Sequence, residues 1–568
     1  MKMMSKLVLS GLLGCALSVG FVASDAVAAE FSNKIKVEQG IVEGSYDDAH
    51  KVVEWYGIPY AAPAVGESRW RAPREAEGFK GVKDCTVYAP VNVQYTAKEV
   101  VGQEGVLTLD IVRPDTTEKK LPVLVFIHGG NNQVSNSRML LGQKLAAEAN
   151  IVYVSVQYRL GLLGFNNLPA LNRGTGIEEG GNFALLDQAA ALDWVKENIQ
   201  RFGGDADNIT VSGFSAGGRD VMAMLISPVF KDKFNKAISF SGGMTVADAA
   251  NSRKVIAEKL APLAVSDGKA ADVITAKNWL LSEKDKDKDA VRNYLQNVKA
   301  ERFAPVMAGA GIRMSAFPHL YGDDKVLPKD GFATESFNSV PLLLLTSSDE
   351  FSSFAARDQY FRDRLDSLGS DAKLTREYRF ANKYGSKLYG FFNGQQAAEK
   401  LYKHYDEDIY VCSFAFGHGN EAVGEEYAMK NGAFHGVFLP FISDQEYKFT
   451  QGTDGFESAG AKALSRAFIS SLSAFMRTGN PNSNLLGNTW SKWNPEYRPE
   501  LVFDANRYGS RIYSVNSRVS YTGILHEMAN DKLVTDESKA YIIKNVLNGR
   551  WFSGQLDEEY GNPSLWAE

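Results

Sequence analysis

An α/β fold, with a mainly parallel central sheet covered by helices and large helical insertions, is what this 568-residue sequence predicts. Short apolar, β-rich runs alternate with helix-period stretches through its first half, the pattern of strand, crossover helix and parallel strand. One of those runs feeds a Gly-x-Ser-x-Gly turn that passes straight into a helical pattern. No repeat and no Pro-, Gly- or Ser-rich linker divides the chain into modules, so one composite domain is expected over residues 30–568.

Taken in order, the elements begin with a leader. Lys2 and Lys6 precede an apolar run from Leu7 to Val22, and small residues end in Ala28-Ala29. This is the grammar of a signal peptide, residues 1–29, cleaved to start the mature chain at about Glu30. Leu12-Leu13-Gly14-Cys15 could instead anchor a lipoprotein, but the apolar run continues past Cys15, which favours cleavage. A secreted or periplasmic protein is expected, with no later segment apolar enough to span a bilayer. Only Cys85 and Cys412 would remain, too few for a disulfide framework, and export leaves both one bridge and two buried thiols open.

Buried strands are expected at Leu121 to Ile127, Ile151 to Gln157, Ile209 to Phe214, Ala237 to Ser241 and Leu342 to Leu345. Leu185, Ala189, Leu192, Val195 and Ile199 recur at helical spacing before Gly203-Gly204, which marks a crossover helix and its stop. Leu464, Phe468, Leu472 and Phe475 mark a C-terminal amphipathic helix. Residues 245–335 and 355–430 lack strand alternation and are expected to lay helices over the sheet. Acids and bases are intermixed throughout, for a net charge of −6, and even the run 282–292 reads as a solvated helix or loop. That balance excludes a nucleic-acid partner.

Chemistry concentrates at Gly213-Phe214-Ser215-Ala216-Gly217. The glycines allow a sharp strand-to-helix turn that projects the serine, and the helix N-terminus supports negative charge developing beside it. His128-Gly129-Gly130 follows the strand Leu121 to Ile127, where backbone amides can converge on an oxyanion. His128 itself reads as a loop brace. The residues alone leave the serine's partners open: His435 is one of seven histidines, and Asp349, Asp323 and Asp324 compete with Glu350.

At this point the sequence resembles the type-B carboxylesterase family of α/β hydrolases, which includes carboxylesterases, cholinesterases and p-nitrobenzyl esterases. The resemblance runs through Trp55 to Ala61, Arg69 to Pro73, Tyr158 to Gly161, Gly181-Asn182, Asp187-Gln188, Trp194-Val195 and Phe202 to Asp205. It implies an α/β-hydrolase fold and a catalytic triad of Ser215, Glu350 in Asp349-Glu350, and His435 in Gly432 to Gly436. It also implies oxyanion donors at Gly130, Asn131 and Ala216, a small-molecule ester as substrate, and no metal or organic cofactor.

Several positions depart from the family pattern. Asn131 stands where a glycine is usual, so its side chain would narrow the acyl pocket. Phe214 replaces a glutamate beside the serine, which argues against cationic substrates and for short to medium uncharged esters. Phe351 and Phe438 imply a more apolar site, or simply core packing. The usual N-terminal disulfide is missing, and Ser241 could bond the acid. Asn208-Ile209-Thr210 fits a glycosylation pattern but runs into a strand. A lipase for long acyl chains and a catalytically weak, cholinesterase-like binding protein are the competing readings, since a fold does not prove an activity.

Overall fold

The computed structural model describes residues 31–561 apart from Ala97 and Thr175, so the leader expectation and Cys15 lie outside the described residues. Among the described residues, no helix is long and apolar enough to cross a membrane.

Among the described residues, eleven strands form one sheet. They are β1 (Ser45–Asp47), β2 (Val52–Pro59), β3 (Thr108–Pro114), β4 (Leu121–Ile127), β5 (Val152–Val156) and β6 (Gly204–Phe214). After these come β7 (Lys236–Phe240), β8 (Leu342–Ser347), β9 (Ile409–Phe414), β10 (Pro499–Ala505) and β11 (Ser510–Asn516). Their spatial order is β11-β10-β9-β8-β7-β6-β4-β5-β3-β2-β1. The seven strands β4 to β10 pair with one another in parallel, while β1, β2, β3 and β11 pair antiparallel at the two edges. Every residue of β4 is buried, because helices cover both faces of a parallel sheet and leave no solvent side for alternation.

The helices that position the site are α1 (Phe183–Asn198), α2 (Ala216–Met224), α3 (Ala249–Ser266), α4 (Asp285–Asn297), α5 (Ser352–Arg357), α6 (Ala372–Asn393) and α7 (Ala459–Thr478). α1 is the expected crossover between β5 and β6. In α4 the charge run lies at the surface while Val291, Tyr294 and Leu295 turn inward. α7 starts where the Ser458 hydroxyl accepts the Ala461 amide at 3.1 Å and stops at Gly479, whose φ of 78° suits glycine. Its Leu464, Phe468, Leu472 and Phe475 are essentially fully buried, each contributing about 1.5–3 kcal/mol of apolar burial.

The stretch 355–430 corrects the sequence reading. It supplies helices, but also β9, a six-residue strand inside the parallel sheet between β8 and β10. Ile-Tyr-Val-Cys-Ser-Phe is buried on both faces, and such a short run carries no period that separates strand from helix. Residues 245–335 do form helices, joined by a two-residue parallel pairing of Ala247-Asp248 with Tyr321-Gly322. Cys85 and Cys412 are both free and buried, which decides the open question of a bridge.

Candidate active site

Ser215, Glu350 and His435 all follow C-terminal ends of neighbouring parallel strands, the edge of an open α/β sheet where ligand sites form. Ser215 follows β6, Glu350 follows β8, and His435 lies in the connection leaving β9. Because β6, β7, β8 and β9 are adjacent, residues more than 200 positions apart in sequence meet at one edge.

The serine turn is as sharp as its glycines suggest. Ser215 has φ 59° and ψ −120°, a conformation held by its amide donating to the Phe240 carbonyl at 2.8 Å. A Cβ on Gly213 would sit 2.2 Å from the Gly217 carbonyl oxygen, and one on Gly217 would sit 2.1 Å from that of Ile127. Only glycine lets the backbone pass at both places.

Glu350 is fully buried. Its Oε2 takes Nδ1 of His435 at 2.5 Å. Its Oε1 accepts the Ser241 hydroxyl, the Thr346 hydroxyl at 3.0 Å, the Ser347 amide at 2.7 Å and the Asn393 amide group at 3.3 Å. Ser241 therefore does bond Glu350. With Nδ1 committed to Glu350, the other nitrogen of His435, Nε2, has no hydrogen-bond partner among the described residues. The imidazole is packed by Phe214, Phe354 and Tyr389, with ring centroids 4.7, 5.1 and 5.5 Å away.

Asp349, Asp323 and Asp324 are engaged elsewhere. Asp349 Oδ2 takes Nδ1 of His418 and the amide of Ala433, each at 2.9 Å. Asp323 accepts the amides of Lys325 and Val326 in a turn, and Asp324 accepts that of Lys329.

A cavity of about 1080 Å³ is lined by Ser215, His435, Gly130 and Asn131. The turn after β4 orients its wall: the Gly130 carbonyl accepts the amides of Gln133 and Val134, and Gly130 and Asn131 have φ of 91° and 58°. Ala216 opens α2, so its amide has no partner within the helix. The Asn131 side chain does stand in the cavity wall, its Nδ2 donating to Gln133 Oε1 at 2.8 Å. His128 braces the loop as expected. It is buried, stacks on Tyr158 and is held down to a pKa of about 4 by lost hydration, so it is neutral near pH 7.

Some of this could not be read from motifs. The Tyr158 hydroxyl donates to the His128 carbonyl at 2.6 Å and to Asn132 Oδ1 at 2.9 Å. Asn132 Nδ2 in turn donates to Asp220 of α2 at 2.8 Å, which ties the glycine-rich loop to the serine's own helix. Burial pushes Asp220 up to about 6. Thr346 and Asn393 on Glu350, and Phe354 and Tyr389 on His435, belong to no motif. Phe351 and Phe438 are fully buried behind the site and pack the core, so the apolar cavity wall comes instead from Phe214, Phe354 and Phe434.

A serine elbow after a central parallel strand, with an acid and a histidine after the next strands, defines an α/β hydrolase. The sequence model of the Carboxylesterase family matches residues 32–410. The chain is 29% identical to the para-nitrobenzyl esterase of Bacillus subtilis over 496 residues, 83% of this chain and 94% of that one. It is 32% identical to the liver carboxylesterase of Sus scrofa over 407 residues, 66% of this chain and 68% of that one. A solved PNB esterase superposes with a TM-score of 0.63 at 28% identity, covering 85% of this chain and 98% of its own. The protein belongs to the carboxylesterase family, in its type-B group.

Proposed function

We propose that the protein is a serine carboxylic-ester hydrolase working through an acyl-enzyme. The observation that carries this reading is the buried Glu350–His435 pair, which leaves Nε2 free beside the cavity that Ser215 also lines.

His435 Nε2 takes the Ser215 hydroxyl proton as Oγ attacks the ester carbonyl carbon, and passes it to the departing alcohol. Glu350 holds the imidazole in the Nδ1–H tautomer and stabilises its cationic form. The amides of Gly130, Asn131 and Ala216 receive the oxyanion, where one donor is typically worth about 100- to 1,000-fold in rate. Water activated by the same histidine then cleaves the acyl-serine ester. The aromatic wall around His435 favours short to medium acyl groups that are uncharged next to the carbonyl. Export through the leader at residues 1–29 would place this activity outside the cytoplasm.

The test is hydrolysis of p-nitrophenyl acetate, butyrate and palmitate by the purified protein beside Ser215→Ala. Fast turnover of the short esters that drops by about a million-fold in the variant supports the mechanism. Equal rates in the two proteins would overturn it in favour of a binding module, and a preference rising toward palmitate would identify a lipase.

A further inference from the structure

Beyond the aromatic surroundings of His435, the cavity wall changes character. Arg313, Arg357, Arg362 and Arg550 line it, against the single carboxylate of Asp358. Asp358 is already engaged: Oδ2 takes Nη2 of Arg550 at 3.0 Å and lies 3.6 Å from Nη2 of Arg313, while Oδ1 accepts the Tyr360 amide. Arg362 pairs with its neighbour Asp363. Glu350 is buried behind His435 and bonded there. Of these four arginines, Arg357 alone has no side-chain hydrogen bond or ion pair among the described residues, and its side chain is exposed to the solvent that fills the cavity.

Its place on α5 fixes what it meets. Phe354 and Arg357 are three residues apart and share a helix face. Phe354 lies against the His435 ring, and Arg357 lines the same cavity about one turn, roughly 5 Å, further along the axis. A molecule with its ester carbonyl at Ser215 therefore passes an aromatic ring before it reaches an unpaired cation.

The geometry points to a substrate class: esters that carry a carboxylate at the end of a short apolar arm, with Arg357 as the specificity-determining residue that receives it. This rests on the serine-esterase reading above and narrows it. The substrate is uncharged beside the carbonyl and anionic at its far end. A guanidinium holds a carboxylate through two parallel N–H···O bonds, and no acidic side chain among the described residues competes for Arg357. The arm's methylenes lie along Phe354. Hydrolysis adds the hydroxyl of water to the acyl carbon and a proton to the leaving alcohol, and leaves the distal carboxylate unchanged.

The experiment compares mono-4-nitrophenyl adipate with its neutral methyl ester, for the wild-type protein, Arg357→Gln and Arg357→Lys, with spontaneous hydrolysis subtracted. The wild-type protein is expected to favour the anionic ester in kcat/KM. Arg357→Gln should lower the anionic-to-neutral ratio by about 10- to 100-fold, mainly through KM, and Arg357→Lys should restore part of it. A wild-type ratio at or below one, or a ratio unchanged in Arg357→Gln, would overturn the inference. Calorimetry of monomethyl adipate binding to Ser215→Ala, with and without Arg357→Gln, decides the anion site independently of turnover. Weaker binding in the double variant supports it, and equal binding sinks it. Failure of the wild-type protein to hydrolyse either ester would instead count against the esterase mechanism.

Discussion

Asp349 and Glu350 are adjacent in the chain yet hold different histidines: Asp349 takes Nδ1 of His418 at 2.9 Å, and Glu350 takes Nδ1 of His435 at 2.5 Å. Asp349 also accepts the Ala433 amide, and its own amide donates to the Ala433 carbonyl at 2.8 Å. One acid thus fastens the loop that carries His435, and the other orients the imidazole itself.

This division of labour separates the two amide variants. Glu350→Gln should keep the fold, since the amide is close in shape, while kcat falls by about 10,000-fold through loss of the correct tautomer. Asp349→Asn should act mainly on the thermal midpoint, by loosening the loop, with the larger share of activity retained. Steady-state kinetics and thermal unfolding on both variants check this, and the reverse pattern would assign the acid to Asp349.

The outer pair has its own pH signature. A hydrogen bond and the charge of Asp349 raise the His418 pKa above its ordinary value. A raised pKa means that the stabilisation is fully present below the unfolded value of about 6.5 and is lost as pH climbs through the folded value. The His418 side chain is 64% exposed, so solvent screening keeps the effect below about 1 kcal/mol. Denaturant midpoints of the wild-type protein and His418→Gln should differ at about pH 5.5 and converge by about pH 9. A gap independent of pH would mean that protonation plays no part.

Asn131 invites a gain of function. Its φ of 58° lies in the left-handed region, which glycine adopts without strain and Asn tolerates at a small cost, and its Oδ1 is buried without a hydrogen-bond partner among the described residues. Asn131→Gly removes both penalties and clears the cavity wall, at the loss of one bond to Gln133. The expected outcome is an unchanged or higher thermal midpoint and a higher kcat/KM ratio of branched to straight-chain p-nitrophenyl esters. A fall in that ratio would mean that the side chain grips substrate instead of obstructing it.

How much of this was legible depends on the distance over which each feature is encoded. Leu121 to Ile127 is legible to the residue, because a fully apolar run between polar flanks needs only its own sequence. Ser215 was legible for a similar reason, as strand, glycine turn and helix are contiguous. The residues alone leave Glu350 and His435 among competing acids and histidines, since pairing them requires β8 and β9 to be neighbours, and β9 lies in a stretch that lacks strand alternation. The edge strand Ser510–Asn516 carries a largely exposed face and no buried alternation to reveal it. Asn393 on Glu350 spans 43 residues, and the unpaired state of Arg357 depends on what the fold fails to bring near it. Neither is written in any local pattern.

The two cysteines show the same principle and give the last prediction. An even count after removal of a leader leaves a bridge open, yet Cys85 and Cys412 are separate free thiols, Cys412 within the internal strand β9. Burial pushes Cys85 up to about 12 and raises Cys412 well above the ordinary thiol range. Because the thiolate is the reactive form, both should be inert in the folded protein. Thiol titration with an aromatic disulfide, located by peptide mapping, should find neither residue labelled in native protein and both labelled after denaturation without reductant. The thermal midpoint should also be insensitive to dithiothreitol. Labelling that appears only after reduction would mean that the two sulfurs are oxidised in the folded enzyme, and would require the β9 core to rearrange to bring Cys85 within reach.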